Sequence, residues 1–425
     1  MLDSCVLTLL PHVKVGSLYL PALNWLARHT ILQRPPMESA KPNHLAIALL
    51  FSASTLYWIS LYLYVPTLPS YVATRAPELA SVGMVLAMYG LWQALLRIPV
   101  GVYVGFRGRS KLVIACGFLF SSAGALTMGY GRSVATLACG RALTGVAAAT
   151  WVPLIAVFSG LFAVNQAVLA TTLLTLSGSL GRLLATMSTG FLNNLGGYSL
   201  PFLVAAFSGL GACVITVSSP EKARKPRRPS LGSVLLLSKR RDVLVPTLMN
   251  AVTQVGNWAV TFGFLPVHAE QLGAGAVAKS LLISSSIAAV TLGNLLNTIV
   301  GRRVRRKTIL LLSLITFSSG IALAAIAPVV AFLYVCAVLI GLANGFLYPI
   351  LMGASIENVE QDQRSTAMGM HQSAYGIGMF LGPWLGGIVA GVLGIPLMFA
   401  LTAAFCLVGG YLLLMQLASD QDRPE

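Results

Sequence analysis

The chain has 425 residues and a mass of 44.8 kDa; 56% of the residues are hydrophobic and only 9% charged, against about 25% charged in an ordinary soluble domain. A mean hydropathy of +0.81 leaves too few polar groups to cover a surface in water. A soluble fold, a disordered chain, a collagen-like repeat, a disulfide scaffold and, despite the net charge of +16, a nucleic-acid binder are therefore excluded. The six cysteines form no CxxC pair, and Cys116, Cys139, Cys213, Cys336 and Cys406 lie in apolar runs, where they read as small buried hydrophobes rather than metal ligands.

Residues 1–43 are an N-terminal extension. Asp3 precedes its apolar stretch and the basic residues follow it, the reverse of a secretory signal. The segment SLYLPALNWLARHTILQ has the make-up of an interfacial helix, but the favoured reading is a translation start at Met37, just before the first long apolar run.

A spanning helix needs about 20 mostly apolar residues. Twelve such runs follow, at 44–66, 79–103, 111–130, 134–158, 164–190, 199–218, 243–266, 276–300, 308–327, 329–353, 366–392 and 395–417, numbered here as spans 1 to 12. They are too long for outer-membrane strands, so an all-α integral membrane protein of twelve transmembrane helices is predicted. With the N-terminus inside, 22 of the 28 basic residues fall in cytoplasmic segments, three (Arg75, Arg132, Lys279) on the other side and three (Arg97, Arg141, Arg182) within spans. Both termini are expected in the cytoplasm, with the cell membrane, a bacterial inner membrane, as the location.

The basic linker 219–242 divides the spans into halves at 44–218 and 243–418, with a tail at 419–425. An offset of 200 residues places Trp58 on Trp258 and Pro66 on Pro266, and also aligns Gly101, Gly145 and Gly178 with glycines. Two six-helix halves related by a pseudo-two-fold repeat are the pattern of many secondary transporters, whose site lies at the midplane between the halves.

Three segments carry motifs. Span 2 ends in GVYVGFRGRSK (101–111), and its positions Gly101, Gly108 and Arg109 fit a glycine-spaced basic loop. Span 4 carries Arg141 with Gly145 four residues on, followed by small residues that let a neighbouring helix approach. Span 11 carries GMFLGPWLGG (378–387), where Gly378, Gly382 and Gly386 make one smooth face and Pro383 allows a bend. With the twelve spans and the repeat, these segments resemble the major facilitator superfamily over residues 44–418. Two departures stand out: Gly105 occupies the loop's acid position, and Arg182 on span 5 sits where an antiporter-type motif has glycine.

The resemblance implies alternating access, a central chamber on spans 1, 4, 7 and 10, a monomer, a small-molecule substrate, the lipid bilayer as surroundings and no cofactor. The candidates for the chamber are Tyr57 and Trp58 on span 1, Arg141, Arg182, Asn344 and Tyr348, and on span 7 Asn250, Gln254, Asn257 and Trp258. Asn250, Gln254, Asn257 and Thr261 step by four, three and four, so they share one helix face. Arg97, near the end of span 2, reads as a residue snorkelling to the headgroups. None of the twelve acids lies at mid-span, whereas an arginine at mid-helix costs roughly 2.5–3.5 kcal/mol and normally faces a cavity or partner. His371 is the candidate for a proton as coupling ion. No Walker A, HExxH or GxSxG pattern is present, so neither direct ATP use nor an enzyme is expected. The first expectation is proton-driven efflux of small amphipathic compounds. The second is uptake or export of a small organic anion held by Arg141 and Arg182. A sensor or scaffold that moves nothing is the alternative of another class.

Overall fold

A computed structural model of the protein describes residues 44–107, 110–162, 166–219, 236–361 and 363–421. The N-terminal extension, with Met37, and most of the basic linker lie outside these residues. Every regular element among the described residues is a helix, and the chain from Asn43 onward forms one compact unit.

Among the described residues ten helices are long and apolar enough to cross a membrane, and they fall on spans 1–4, 6 and 8–12. Spans 5 and 7 are helical where expected, at Ala167–Gly196 and Arg241–Ala259, but they are more polar than the rest. The cause is local. Span 5 carries Arg182 among serines and threonines, and span 7 carries Asn250, Gln254 and Asn257. The first helix of the second half begins at Arg241, inside the predicted linker, and the last helix runs on to Gln421, into the predicted tail. Outside the bundle, large apolar side chains such as Leu112, Leu195, Phe207 and Val392 stand exposed, which suits lipid rather than water.

Three spans are broken, each near a proline that cannot donate to the preceding turn. Span 1 is helical over His44–Tyr62, passes through turns around Pro66 and resumes at Leu68–Ala73. Span 7 leaves its α-helix at Ala259, widens into a π-turn at Val260–Phe264 and resumes at Leu265–Gln271 with Pro266 in its first turn. Pro66 and Pro266 are the pair matched at the 200-residue offset, so the repeat is also a repeat of where the backbone breaks. Span 4 breaks at Thr150, between Val134–Ala149 and Trp151–Ser159.

Small residues decide how closely the spans approach. A Cβ at Gly145 would lie 2.6 Å from the Tyr89 carbonyl oxygen, so span 4 rests on the backbone of span 2. The glycine face of span 11 packs inside its own half: a Cβ at Gly378 would meet Ala251, and one at Gly382 would meet Val255, both on span 7. A second face of span 11 meets the first half. Gly387 lies against Gly83, Phe380 against Gly90 and Gly376 against Ala94, so spans 11 and 2 are in contact along most of their length. The predicted gating residue Gly101 has open space around its Cβ position, and Gly108 and Arg109 lie outside the described residues. Cys116 and Cys139 are exposed rather than buried, while Cys213, Cys336 and Cys406 are buried.

The side of the bundle that holds the loops after spans 8 and 10 is called here the basic face; the opposite side is the far face. On the basic face Arg306 grips Glu357 through two hydrogen bonds, of 2.6 and 3.0 Å, joining the loop after span 8 to the loop after span 10. The Arg306 hydrogen bonds hold the Glu357 carboxyl below its usual range. A lowered carboxylate stabilises the fold above its unfolded value and loses that contribution as pH falls through the folded one.

Two outcomes follow. Gly83→Leu should lower the thermal midpoint of the purified protein, because overpacking of this kind costs about 1–3 kcal/mol, whereas Gly101→Ala should leave it unchanged or slightly raised. Glu357→Gln should lower the midpoint slightly at neutral pH, by no more than about 1 kcal/mol for so exposed a pair, and the difference should shrink in acid as the carboxylate of the wild type takes up its proton. Thermal scans of wild type and variants at neutral and acid pH check this.

Candidate functional site

Six rings form a continuous belt through the middle of the bundle. Trp151 meets Trp58 edge-on at 5.0 Å, Trp58 meets Tyr62 at 5.6 Å, and Tyr62 meets Phe262 at 6.1 Å. Phe262 then packs on Trp258 at 4.8 Å, and Trp258 stacks on Tyr89 at 5.5 Å. The belt crosses from one half to the other at Tyr62 and Phe262, another pair separated by the 200-residue offset. The break in span 7 presents Phe262, since this residue lies within the π-turn.

A guanidinium stands over two of these rings. Arg182 lies 4.7 Å over the Trp58 ring and Arg141 lies 4.3 Å over the Tyr89 ring. Arg141 is 2% exposed, yet its Nε and Nη1 meet no acceptor; neither does Nε of Arg182. The indole N–H groups of Trp58 and Trp258 are also buried without a partner. A desolvated cation–π contact contributes about 2 kcal/mol, so each ring offsets much of the cost of the charge above it. It accepts none of the in-plane N–H groups, however, and each such unmet group costs about 1–3 kcal/mol. Among the described residues the three ion pairs are Arg240–Asp242, Lys279–Glu270 and Arg306–Glu357, and no carboxylate pairs with Arg97, Arg141 or Arg182. The middle of the bundle is thus rich in donors and positive.

The predicted site residues separate into groups. Trp58, Trp258, Arg141 and Arg182 meet at the belt. Beside it Asn257 donates to Gln254 at 3.4 Å and Gln254 to Asn344 at 3.3 Å, a polar chain between spans 7 and 10. Asn250 is drawn elsewhere, donating through Nδ2 to Nε2 of His371 at 3.0 Å. With the amide so oriented, the ring proton sits on Nδ1, 3.3 Å from the Thr247 hydroxyl. His371, fully buried, therefore ties spans 7 and 11 together with both nitrogens engaged. Tyr57 borders the belt, its ring 5.6 Å from that of Trp58, while its hydroxyl donates to the Ala147 carbonyl at 2.9 Å and its ring also packs on Phe118.

Tyr348 belongs to a latch near the basic face. Arg97 donates to the carbonyl of Gln372 at 3.2 Å and to its side-chain oxygen, and Gln372 donates to the Tyr348 hydroxyl at 2.6 Å. Arg97 is 4% exposed, so it does not snorkel; the Gln372 oxygens draw it inward across the boundary between the halves. A second latch closes the far face. Lys279, 3% exposed, reaches Glu270 at 3.1 Å and the Ser70 hydroxyl at 2.8 Å, and Ser70 itself donates to Glu270. Ser70 and Glu270 are again 200 residues apart.

Sequence reasoning missed Tyr89, Trp151, Phe262, Gln372 and the far-face cluster. The repeat offset held a signal for two of them, since Phe262 follows from Tyr62 and Glu270 from Ser70.

A family model described as Major Facilitator Superfamily matches residues 50–267 and 247–425. The chain belongs to that superfamily. It is a multi-pass membrane transporter of small molecules, not an enzyme. Multidrug resistance protein 2 of Bacillus subtilis is 26% identical over 355 residues, covering 78% of this chain and 85% of that protein. An uncharacterized MFS-type transporter of Methanocaldococcus jannaschii is 20% identical over 367 residues, covering 81% and 91%. The solved structure of the nucleoside transporter NupG superimposes with a TM-score of 0.70 at 17% identity, covering 87% of this chain and 98% of that one. A bacterial homolog of the human lysosomal transporter Spinster, inward-facing and occupied, gives 0.72 at 14% identity, covering 91% and 99%. These two share the fold.

Removing one partner of the basic-face latch should cost more than removing both. Gln372→Leu leaves the buried Arg97 guanidinium only the backbone carbonyl of residue 372 as acceptor and should cost about 1–3 kcal/mol, whereas Arg97→Met with Gln372→Leu should recover much of it. A double-mutant cycle in thermal unfolding measures the coupling.

Proposed function

We propose that the protein carries a small organic anion with a ring or other flat apolar body, by alternating access of its two halves about the aromatic belt. The observation that carries this reading is the pair of guanidiniums over the Tyr89 and Trp58 rings of the belt, with unmet N–H groups and no carboxylate beside either. An anion supplies the acceptors that these groups lack, and a flat apolar body suits stacking against aromatic rings. A chamber of this charge also disfavours cations.

The basic face is cytoplasmic in this reading, because Lys and Arg are retained on that side during insertion. Both termini then lie inside, the Ser70–Glu270–Lys279 latch lies outside, and the location is the cell membrane, a bacterial inner membrane. One chain supplies the whole chamber, so a monomer suffices. A proton-driven cycle would draw on His371, which stands between spans 7 and 11. The second reading is efflux of neutral amphipathic compounds, favoured by the similarity to the multidrug resistance proteins. In that case the rings do the binding and Arg182 only packs on Trp58.

The two readings differ in an untargeted comparison of metabolites in cells and medium. The strains are an overproducer of the intact protein, one of Arg182→Ala and one with an empty vector. The expected outcome is an anionic solute that shifts with the intact protein and returns to the vector level in the variant. Equal loss of hydrophobic neutral compounds from both producing strains would move the conclusion to the second reading.

A further inference from the structure

We infer that transport is an obligatory exchange, one anion moving in as another moves out, rather than net movement coupled to a proton. The inference rests on the organic-anion reading of the same chamber and concerns what the protein does when no anion is bound.

To cross from one open side to the other, the chamber must pass through a closed state in which water is excluded. Arg141 and Arg182 stay protonated there, since an arginine does not release its proton in a protein. The protein offers neither a counter-charge. No carboxylate pairs with them among the described residues, and all twelve acids of the chain lie in loops, tails or span ends. The nearby polar groups are neutral: Gln254, Asn257 and Asn344 bond to one another. The rings of Trp58 and Tyr89 offset part of each charge but leave in-plane N–H groups unmet. Closing the chamber on two uncompensated cations is therefore costly, and a bound anion removes that cost. Loaded protein reorients in either direction, while unloaded protein is held back. The coupling agent is then the counter-anion itself, either a second molecule of the substrate or a small inorganic anion such as chloride.

Ser179 gives a way to supply the missing charge. It is 8% exposed, and its hydroxyl lies 3.5 Å from Nη2 of Arg182. Ser179→Asp places a carboxylate beside the guanidinium. The variant should reorient unloaded and so convert exchange into net transport. Arg182→Gln removes one charge and should relax the requirement in the same direction, at weaker affinity.

The test uses the purified full chain in lipid vesicles. Radiolabelled benzoate, phenylacetate and indole-3-acetate are presented outside in turn. The interior holds the same carboxylate, chloride, or only dextran sulfate, which is too large to enter the chamber. Binding is followed separately by quenching of tryptophan fluorescence, since Trp58 and Trp258 line the belt. The expected result is entry into carboxylate-loaded or chloride-loaded vesicles about tenfold or more faster than into dextran sulfate vesicles, with no response to an imposed pH gradient. Comparison of the two loaded interiors identifies the counter-anion. Ser179→Asp, or Arg182→Gln should the first variant not fold, should narrow the gap. Equal entry into all vesicles, accelerated by an alkaline interior, would overturn the exchange inference and leave the anion reading intact. Neither quenching nor entry for any of the three carboxylates would overturn the anion reading and the exchange inference with it.

Discussion

An arginine inside a bilayer keeps its charge, and the centre of this protein is organised around that fact. A histidine or carboxylate can escape the cost of burial by changing protonation state, but a guanidinium can only find partners. Arg97 finds the oxygens of Gln372 and becomes part of the contact between the halves. Arg141 and Arg182 find aromatic faces instead, those of Tyr89 and Trp58 in one belt. A ring satisfies the charge without satisfying the N–H groups, so these two residues are held in place yet remain able to bind. The same arrangement accounts for how aromatic the middle of the bundle is.

The two halves share a backbone plan and divide the chemistry. Spans 1 and 7 break at equivalent prolines, and the pairs Tyr62–Phe262 and Ser70–Glu270 touch across the boundary, which places the pseudo-two-fold axis between these spans. The charges do not follow the repeat. The positions equivalent to Arg97, Arg141 and Arg182 are Asn297, Gly341 and Gly382. Gly341 and Gly382 each face the backbone of a neighbouring span, where a side chain of any length would collide. One half therefore carries the positive charge of the chamber, and the other uses the same positions for close packing.

Much of this was legible in the sequence, for reasons particular to membranes. Apolar runs long enough to cross lipid have one backbone solution, so the spans could be read from length alone, and the two that fall short on apolarity, spans 5 and 7, both carry polar site residues. Trp58, Trp258, Arg141 and Arg182 stood out because such residues are costly in lipid. Contacts between distant spans were less visible. The face shared by Asn250, Gln254 and Asn257 was evident from spacing, but spacing does not reveal that Asn250 turns to His371 while Gln254 turns to Asn344. Arg97 looked like a residue reaching for headgroups because its distance from the helix end permits that, and the acceptor that draws it inward lies 275 residues away. Span 11 presented a regular glycine face in sequence, yet it uses that face against span 7 and a second one, through Gly376 and Gly387, against the other half.

The contacts between the halves differ in a way that bears on their separation. Where span 2 meets span 11, packing is backbone to backbone through Gly83, Gly90 and Gly387, with a polar latch toward the basic face. Where span 5 meets span 8, Gly190 lies against Val277 near the far face, and the Ser284 hydroxyl donates to Thr186 at 2.8 Å. Contacts of this kind are short-ranged and lose little when a wedge of water enters, because serine, threonine and glutamine exchange a protein partner for a water at small net cost. The far-face ion pair follows the same logic. Lys279 is buried, but the Glu270 side chain is 47% exposed, so water already reaches one member and can solvate the other once the spans part. A pair sealed on both sides would lock the bundle, whereas a half-exposed pair holds it shut and still releases. The groups buried most deeply, Arg141 with Tyr89 and Trp258 of the belt, are those that a bound solute rather than water must satisfy.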